Sequence, residues 1–198
     1  MRTILHNCGE VAHLSTGDDE DPLSGQRLLD RDSLVHPAGL GIMIVEGLIE
    51  KIAPSEELLS EYAPWYPTKN TIGDVEVLDM EGMAVVPGFV DSHTHLLWSG
   101  DRANELSMRL GGKTYQEIAQ SGGGIMKTVR STRSSPKRNL VERGISRANE
   151  CLRNGTTTLE AKSGYGLDLD SEVKLLESIS EIDRSMDLDI RATWLGAH

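Results

Sequence analysis

The residues best placed to do chemistry are His93 and His95, which close the run Met83-Ala84-Val85-Val86-Pro87-Gly88-Phe89-Val90-Asp91-Ser92-His93-Thr94-His95. In extended backbone, alternate side chains share a face, so the two imidazoles project the same way. Two imidazoles at the end of a buried strand are a start on a metal site, because neutral imidazole is the commonest metal ligand. The plainer reading is a pair of surface histidines at a strand end. The nearly all-apolar run before them and the aspartate beside them favour the metal. Two ligands do not close such a site: a catalytic zinc or iron centre wants one or two more and an open position. A water in that position has its pKa lowered to about 7 and becomes a nucleophile at neutral pH.

Other candidates lie further along. His198 follows another strand-like run, where it is a ligand, a group polarising a substrate carbonyl, or a loose chain terminus. Asp91 reads as a structural hydrogen-bonding group. Arg102 falls on the stretch after the histidines, where a guanidinium can clamp a carboxylate or simply be solvated. Tyr115 and Tyr165 are two of four tyrosines, and Tyr165 sits in Ser163-Gly164-Tyr165-Gly166, whose glycines let the backbone approach a ligand. Glu160 and Lys162 alternate toward one strand face and either pair with each other or take part in chemistry. His6 and His13 read as solvated, and His36, beside Pro37, as structural or incidental. Cys8 and Cys151 stand far apart in no metal-binding or redox spacing.

The elements that must position these residues change character along the chain. Residues 1–14 read as a short strand or strand pair, and 15–38, with acidic Asp18, Asp19, Glu20 and Asp21, as a loop or insertion. Residues 40–53 alternate as a hairpin turning at Glu46-Gly47. Ser55–Tyr62 suits a short helix and Val75–Asp79 a strand. Residues 1–84 therefore form a small β-rich, β-sandwich-like domain leading into the histidine strand. Beyond residue 96, helices alternate with strands. Thr114 and Glu117 have capping-box spacing ahead of a short helix. Ser135-Pro136 starts another, with Val141, Ile145, Ala148 and Leu152 as its apolar stripe. Thr156–Ala161 is a β-branched strand. Residues 170–183 form a helix with Val173, Leu176 and Ile179 inward, and Ile190–Leu195 is the last strand.

Alternating strands and helices imply parallel pairing, hence a doubly wound sheet or a (β/α)8 barrel. The strands end in His-Thr-His, Lys-Ser-Gly-Tyr-Gly and Gly-Ala-His. Polar groups gathered at the C-terminal ends of successive strands point to a TIM barrel. Gly122-Gly123-Gly124 has neither a dinucleotide nor a P-loop spacing, so a nucleotide site is not expected. A formal net charge of −11 argues against nucleic-acid or anionic-membrane partners. With no signal-peptide pattern and no membrane-length apolar run, a cytoplasmic protein is expected.

Taken together, Pro87–Leu106, Thr114–Ile125 with Val129–Arg133, Thr156–Asp168 and Thr193–His198 resemble the amidohydrolase superfamily and, within it, the imidazolonepropionases. That resemblance implies an amidohydrolase-type α/β barrel with one zinc or iron per active site. The implied reaction is hydrolysis of a small anionic cyclic amide, 4-imidazolone-5-propanoate, to N-formimidoyl-L-glutamate in histidine degradation. It makes His93 and His95 metal ligands and places Arg102, Tyr115, Tyr165 and His198 on the substrate, Arg102 on its propanoate. A metal-bound water would attack, with His198 steadying the developing oxyanion.

A closed barrel takes about 250 residues, whereas residues 89–198 have room for only about four βα units. The implied remaining ligands, a histidine and an aspartate from later strands, are not in the sequence. A fragment or a split protein is therefore expected, with a homodimer left open. The alternatives are another amidohydrolase, such as a hydantoinase, dihydroorotase or aminohydrolase, or an inactive half-barrel.

Overall fold

The computed structural model describes residues 1–13 and 24–198, so the acidic cluster Asp18, Asp19, Glu20 and Asp21 lies outside the described residues. The chain divides into two compact units, Met1–Pro87 and Gly88–His198. In the first, β1 (Arg2–His6) and β2 (Val11–Ala12) precede α1 (Arg31–Leu34), β3 (Val35–His36), β4 (Leu40–Val45), β5 (Leu48–Pro54), α2 (Ser55–Tyr62), β6 (Thr71–Ile72) and β7 (Val75–Asp79). Five strands form one sheet, ordered β5-β4-β1-β7-β6, and β2 with β3 form a separate ribbon. The β4–β5 turn places Glu46 and Gly47 at φ of 50° and 83°. Positive φ at both central residues matches the right-handed twist of the flanking strands. Ile4, Met43, Val77 and Leu58 of α2 meet in a buried core. Two expectations need correction here. The loop read over 15–38 contains a 3-10 turn at Gly25–Leu29, then α1 and β3. His6 is buried, its ring against the edge of Tyr66, and His13 stacks on His36 at 4.7 Å between ring centroids.

The second unit runs β8 (Phe89–Thr94), α3 (Ala103–Leu110), α4 (Tyr115–Gln120), α5 (Ile125–Ser134), α6 (Lys137–Arg153), β9 (Thr156–Lys162), α7 (Leu169–Asp183) and β10 (Asp189–Thr193). Its three strands pair in parallel in the order β10-β9-β8. The length-based expectation of about four βα units overshoots because the β8-to-β9 connection alone holds four helices. Strand β9 is central; Leu159 and Ala161 are fully buried against Leu140 and Ala148 of α6 and Leu175, Ile179 and Ile182 of α7. Each such aliphatic side chain withdrawn from water contributes about 1.5–3 kcal/mol. Gly144 brings α6 close: a Cβ there would lie 2.3 Å from Ile182 Cδ1 and 2.6 Å from Leu97 Cδ2. Among the described residues, no helix is long and apolar enough to cross a membrane.

Strand β8 departs from the sequence reading. It is not buried: Phe89 and Val90 are 59% and 68% exposed, because β8 is an edge strand and only β9 is hydrogen-bonded to it. The inward seam of α7 differs in part: Ile179 is buried and Leu176 packs against the core as expected, but Leu175 and Ile182 are buried with them and Val173 is 43% exposed. Helix α4 carries the expected capping box, with Thr114 and Glu117 each accepting from the other's backbone N–H.

One contact ties α5 to α7. Lys174 Nζ donates to the carbonyl oxygens of Thr132, Arg133 and Ser135 at 3.3, 2.8 and 3.0 Å. These carbonyls lie at a helix C-terminus, where few backbone donors reach them and a cation suits the helix dipole; among the described residues, only that of Thr132 also accepts from a backbone N–H, that of Ser135. Lys174→Met keeps the length of the side chain and removes the donors. It is expected to lower stability by about 2 kcal/mol, read as a lower urea midpoint with unchanged slope.

Candidate active site

The site is assembled where the three parallel strands of the second unit end. His93 is in β8, and His95 lies one residue beyond that strand. Asp91 accepts a hydrogen bond from the His93 backbone N–H at 3.2 Å, the structural role expected of it. The chain after β9 brings Tyr165 to the His95 ring at 5.0 Å, and the chain after β10 stacks His198 on His95 at 4.6 Å. Tyr165 and His198 meet edge to face at 5.3 Å, and His93 stands 6.3 Å from His95. Residues more than a hundred apart in sequence thus surround one imidazole.

That imidazole is His95, whose pKa is lowered by burial first and by the facing His198 and His93 second; a hydrogen bond with the Ser163 backbone opposes the shift. A neutral ring is what coordination requires. His95 Nδ1 is buried and has no hydrogen-bond partner in the protein. A buried, unmet acceptor on a neutral imidazole costs stability unless something fills it, and a cation is a fitting occupant. Among the described residues, no three His, Cys, Asp or Glu side chains converge as a ready-made metal cage.

His198 is held by chemistry as well as stacking. Its Nδ1 lies 3.0 Å from the Gly164 carbonyl oxygen. Since a carbonyl only accepts, this contact puts a proton on Nδ1 and turns Nε2 outward from it. Gly164 has φ of +114°, and a Cβ there would lie 2.9 Å from His198 Cβ, so glycine is required twice over. Ser163 joins the two segments: its N–H donates to Thr193 O at 2.9 Å, and its hydroxyl accepts from Leu195 N–H at 3.0 Å.

The base of the 163–167 loop is organised by a residue that sequence reading passed over. Glu172, in the first turns of α7 and 2% exposed, accepts from Gly164 N–H at 2.9 Å, Gly166 N–H at 2.6 Å and Leu167 N–H at 2.8 Å. A fully buried carboxylate met by three backbone donors is a rigid mount for the loop that carries Tyr165.

Arg102 and Tyr115 stand beside this cluster. Arg102 lines one cavity of about 170 Å³ with Trp98, Asp101, Thr128 and Tyr165, and a second of about 270 Å³ with Glu105 and Tyr115. Arg102 therefore links Tyr165 on one side to Tyr115 on the other. Trp98 is fixed from behind by Arg147, whose guanidinium lies 3.9 Å from the ring centre and donates to the Leu96 and Trp98 carbonyls. Glu160 and Lys162 pair, and Thr193 Oγ1 donates to the same Glu160 oxygen at 2.6 Å. These contacts, with His93 nearby, hold Glu160 below the usual carboxylate range, while its Oε2 is buried without a partner.

An imidazolonepropionase of Symbiobacterium thermophilum is 43% identical over 195 residues, which is 98% of this chain and 43% of that protein. The chain is thus similar to the imidazolonepropionases over nearly all of its own length. An imidazolonepropionase of Paracoccus denitrificans is 40% identical over 195 residues, again 98% of this chain and 43% of that protein. The chain thus spans less than half the length of these relatives. No family model matches it. Among solved structures, a triazine hydrolase of Arthrobacter aurescens aligns with a TM-score of 0.58 at 14% identity, covering 98% of this chain and 35% of that one. A prolidase complexed with N-methylphosphonate-L-proline aligns at 0.52 and 14%, covering 98% and 32%. At such identities the likeness concerns fold alone, a mixed α/β architecture. The residues that sequence reading missed are Glu105, Arg147 and Glu172. Their only sequence signal is local, a glutamate one helical turn beyond Arg102 and another just after Lys-Ser-Gly-Tyr-Gly-Leu-Asp.

Proposed function

We propose that the protein containing this chain hydrolyses 4-imidazolone-5-propanoate to N-formimidoyl-L-glutamate, using a zinc or iron ion held in part by His93 and His95. The carrying observation is the neutral His95, its Nδ1 buried and unmet, enclosed by Tyr165 and His198 beside the cavities that share Arg102. In this reading, β8, β9 and β10 are opening strands of a (β/α)8 barrel and residues 1–84 a separate β-rich domain. The chemistry collects at the C-terminal strand ends, the active face of such barrels.

When bound, the cation supplies a nucleophilic water at neutral pH and a Lewis acid for the ring carbonyl. The chain's own residues do the rest. Arg102 binds the propanoate, its Nε taken by Glu105 and its Nη groups left for the substrate. Tyr115 and Tyr165 line the two cavities that Arg102 shares and orient the ring between them. His198, with Nδ1 on the Gly164 carbonyl, presents Nε2 to the oxygen that gains charge and donates to it when that nitrogen carries a proton. Water oxygen joins the carbonyl carbon, the ring C–N bond breaks, and the freed nitrogen takes the proton.

Arg102→Ala tests the substrate assignment. Loss of a charge-assisted contact worth about 1.5–3 kcal/mol should lower kcat/KM about 10- to 150-fold, with metal content unchanged. The deficit should vanish for an imidazolone lacking the propanoate. An equal deficit on both substrates contradicts the assignment.

A further inference from the structure

Arg102 does not stand alone, and what holds it is Glu105. This carboxylate is 6% exposed. One oxygen accepts from Arg102 Nε at 2.8 Å and the other from the Gly124 backbone N–H at 2.9 Å. Gly124 is the N-terminal cap of α5, at φ +71°, and a Cβ there would lie 3.4 Å from the Tyr115 hydroxyl. Gly123, next to it, is tighter: a Cβ would lie 2.9 Å from Glu105 Oε1 and 2.7 Å from Ile118 Cγ2. The triple-glycine turn is thus shaped to close over Glu105, which gives Gly122-Gly123-Gly124 a purpose other than binding phosphate. Burial, the largest single effect, raises the Glu105 pKa, but the bonds from Arg102 and Gly124 together bring it below the usual carboxylate range. It is a charged brace.

Resting on the reading of Arg102 as the holder of the substrate carboxylate, we infer that Glu105 is the positioning residue for substrate selection. It fixes the Arg102 guanidinium, and its spacing from Tyr115, so that anionic rings are preferred over neutral ones. The geometry suits this role. A bond at Nε leaves the Nη1/Nη2 edge of the guanidinium, an edge a carboxylate can meet bidentately. Without the brace, the Arg102 side chain, 41% exposed, recovers its rotamer freedom. Substrate then has to immobilise it again on binding.

The test is Glu105→Gln in the full-length protein. The amide keeps the shape but turns an N–H₂ toward one of the two donors, so one arm of the brace fails. KM for 4-imidazolone-5-propanoate should rise about tenfold, the cost of re-ordering one long side chain, with kcat within about twofold. Kinetics on the ring lacking the propanoate should not move. In an Arg102→Ala background Glu105→Gln should add nothing, since the brace acts only through Arg102. A KM rise shared by both substrates, an unchanged KM, or full additivity with Arg102→Ala overturns the inference.

If Glu105→Gln does not fold, ¹⁵N spectra of the wild type decide. Titration with imidazole-4-propanoate should move the Arg102 Nη signals and leave Nε–H in place; a ligand-induced change at Nε overturns the inference. If the wild type does not turn over imidazolonepropanoate, the proposed reaction falls by itself. Tighter binding of imidazole-4-propanoate than of imidazole, lost in Glu105→Gln, would still establish the brace, and equal binding of the two would remove it.

Discussion

Replacement of His93 or His95 by alanine in the full-length protein is expected to remove the bound metal and to lower kcat/KM by at least about 10³-fold. A Lewis acid that also activates water supplies several kcal/mol of transition-state stabilisation, and every 1.36 kcal/mol is tenfold in rate. The two variants should not otherwise behave alike. His93 is exposed at the end of an edge strand, so truncating it removes little packing. Its stability should stay within about 0.5 kcal/mol of wild type. His95 carries the rings of both Tyr165 and His198 against it, so His95→Ala also opens space beside them. Its unfolding midpoint should fall measurably further than that of His93→Ala. Metal stoichiometry by elemental analysis, steady-state kinetics and urea titrations read all three consequences. Full metal occupancy in either variant would sink the ligand assignment, whatever happened to activity.

These histidines were legible in the sequence because their signal is local: two rings at period two after an apolar run. Lys-Ser-Gly-Tyr-Gly and Gly-Ala-His were legible for the same reason, each closing a β-rich segment. What could not be read is how the sheet is bordered. An apolar run such as Val85 to Val90 implies burial, yet β8 is bonded along one edge only, and Phe89 and Val90 stay largely exposed. Helices α3 and α5 were missed because neither carries a clean apolar stripe. Helix α3 leaves Leu106 and Leu110 exposed while burying Glu105, and α5 buries Thr128 and Thr132 beside Val129. The inward face of α7 was displaced because Val173 and Leu175 suit a helical stripe almost equally, and packing against α6 selects Leu175. Glu105 and Glu172 have no periodic signature at all. Glu105 serves the Gly124 N–H and Glu172 the N–H groups of the loop before its own helix, and a glutamate's spacing does not say where its oxygens will go.

Glu172 is the more consequential of the two. Glu172→Ala would leave the N–H groups of Gly164, Gly166 and Leu167 without their acceptor. A buried donor left unmet costs about 1–3 kcal/mol. Three of them, less what entering water recovers, should cost about 3–6 kcal/mol, a large part of a domain's usual margin of about 5–15 kcal/mol. Other ties on the loop, such as Arg133 Nε on the Gly166 carbonyl at 2.5 Å and on Asp168 at 2.9 Å, hold its outer side and do not supply acceptors for those donors. Glu172→Gln separates stability from geometry. One amide oxygen can still serve Gly166 and Leu167, while the N–H₂ then confronts the Gly164 N–H and pushes on the residue whose carbonyl holds His198. Its thermal midpoint should therefore fall less than that of the alanine variant. Its kcat should fall by about tenfold or more while KM moves little, because in the proposed reaction the disturbed group, His198, is the one that would meet developing charge and Arg102 the one that would hold the substrate carboxylate. The measurement is made well below the variant's own midpoint, so that unfolded protein does not imitate a lost rate. If kcat is unchanged in a Glu172→Gln protein that is measurably less stable, the carboxylate supports the fold alone, and His198 keeps its position by stacking on His95.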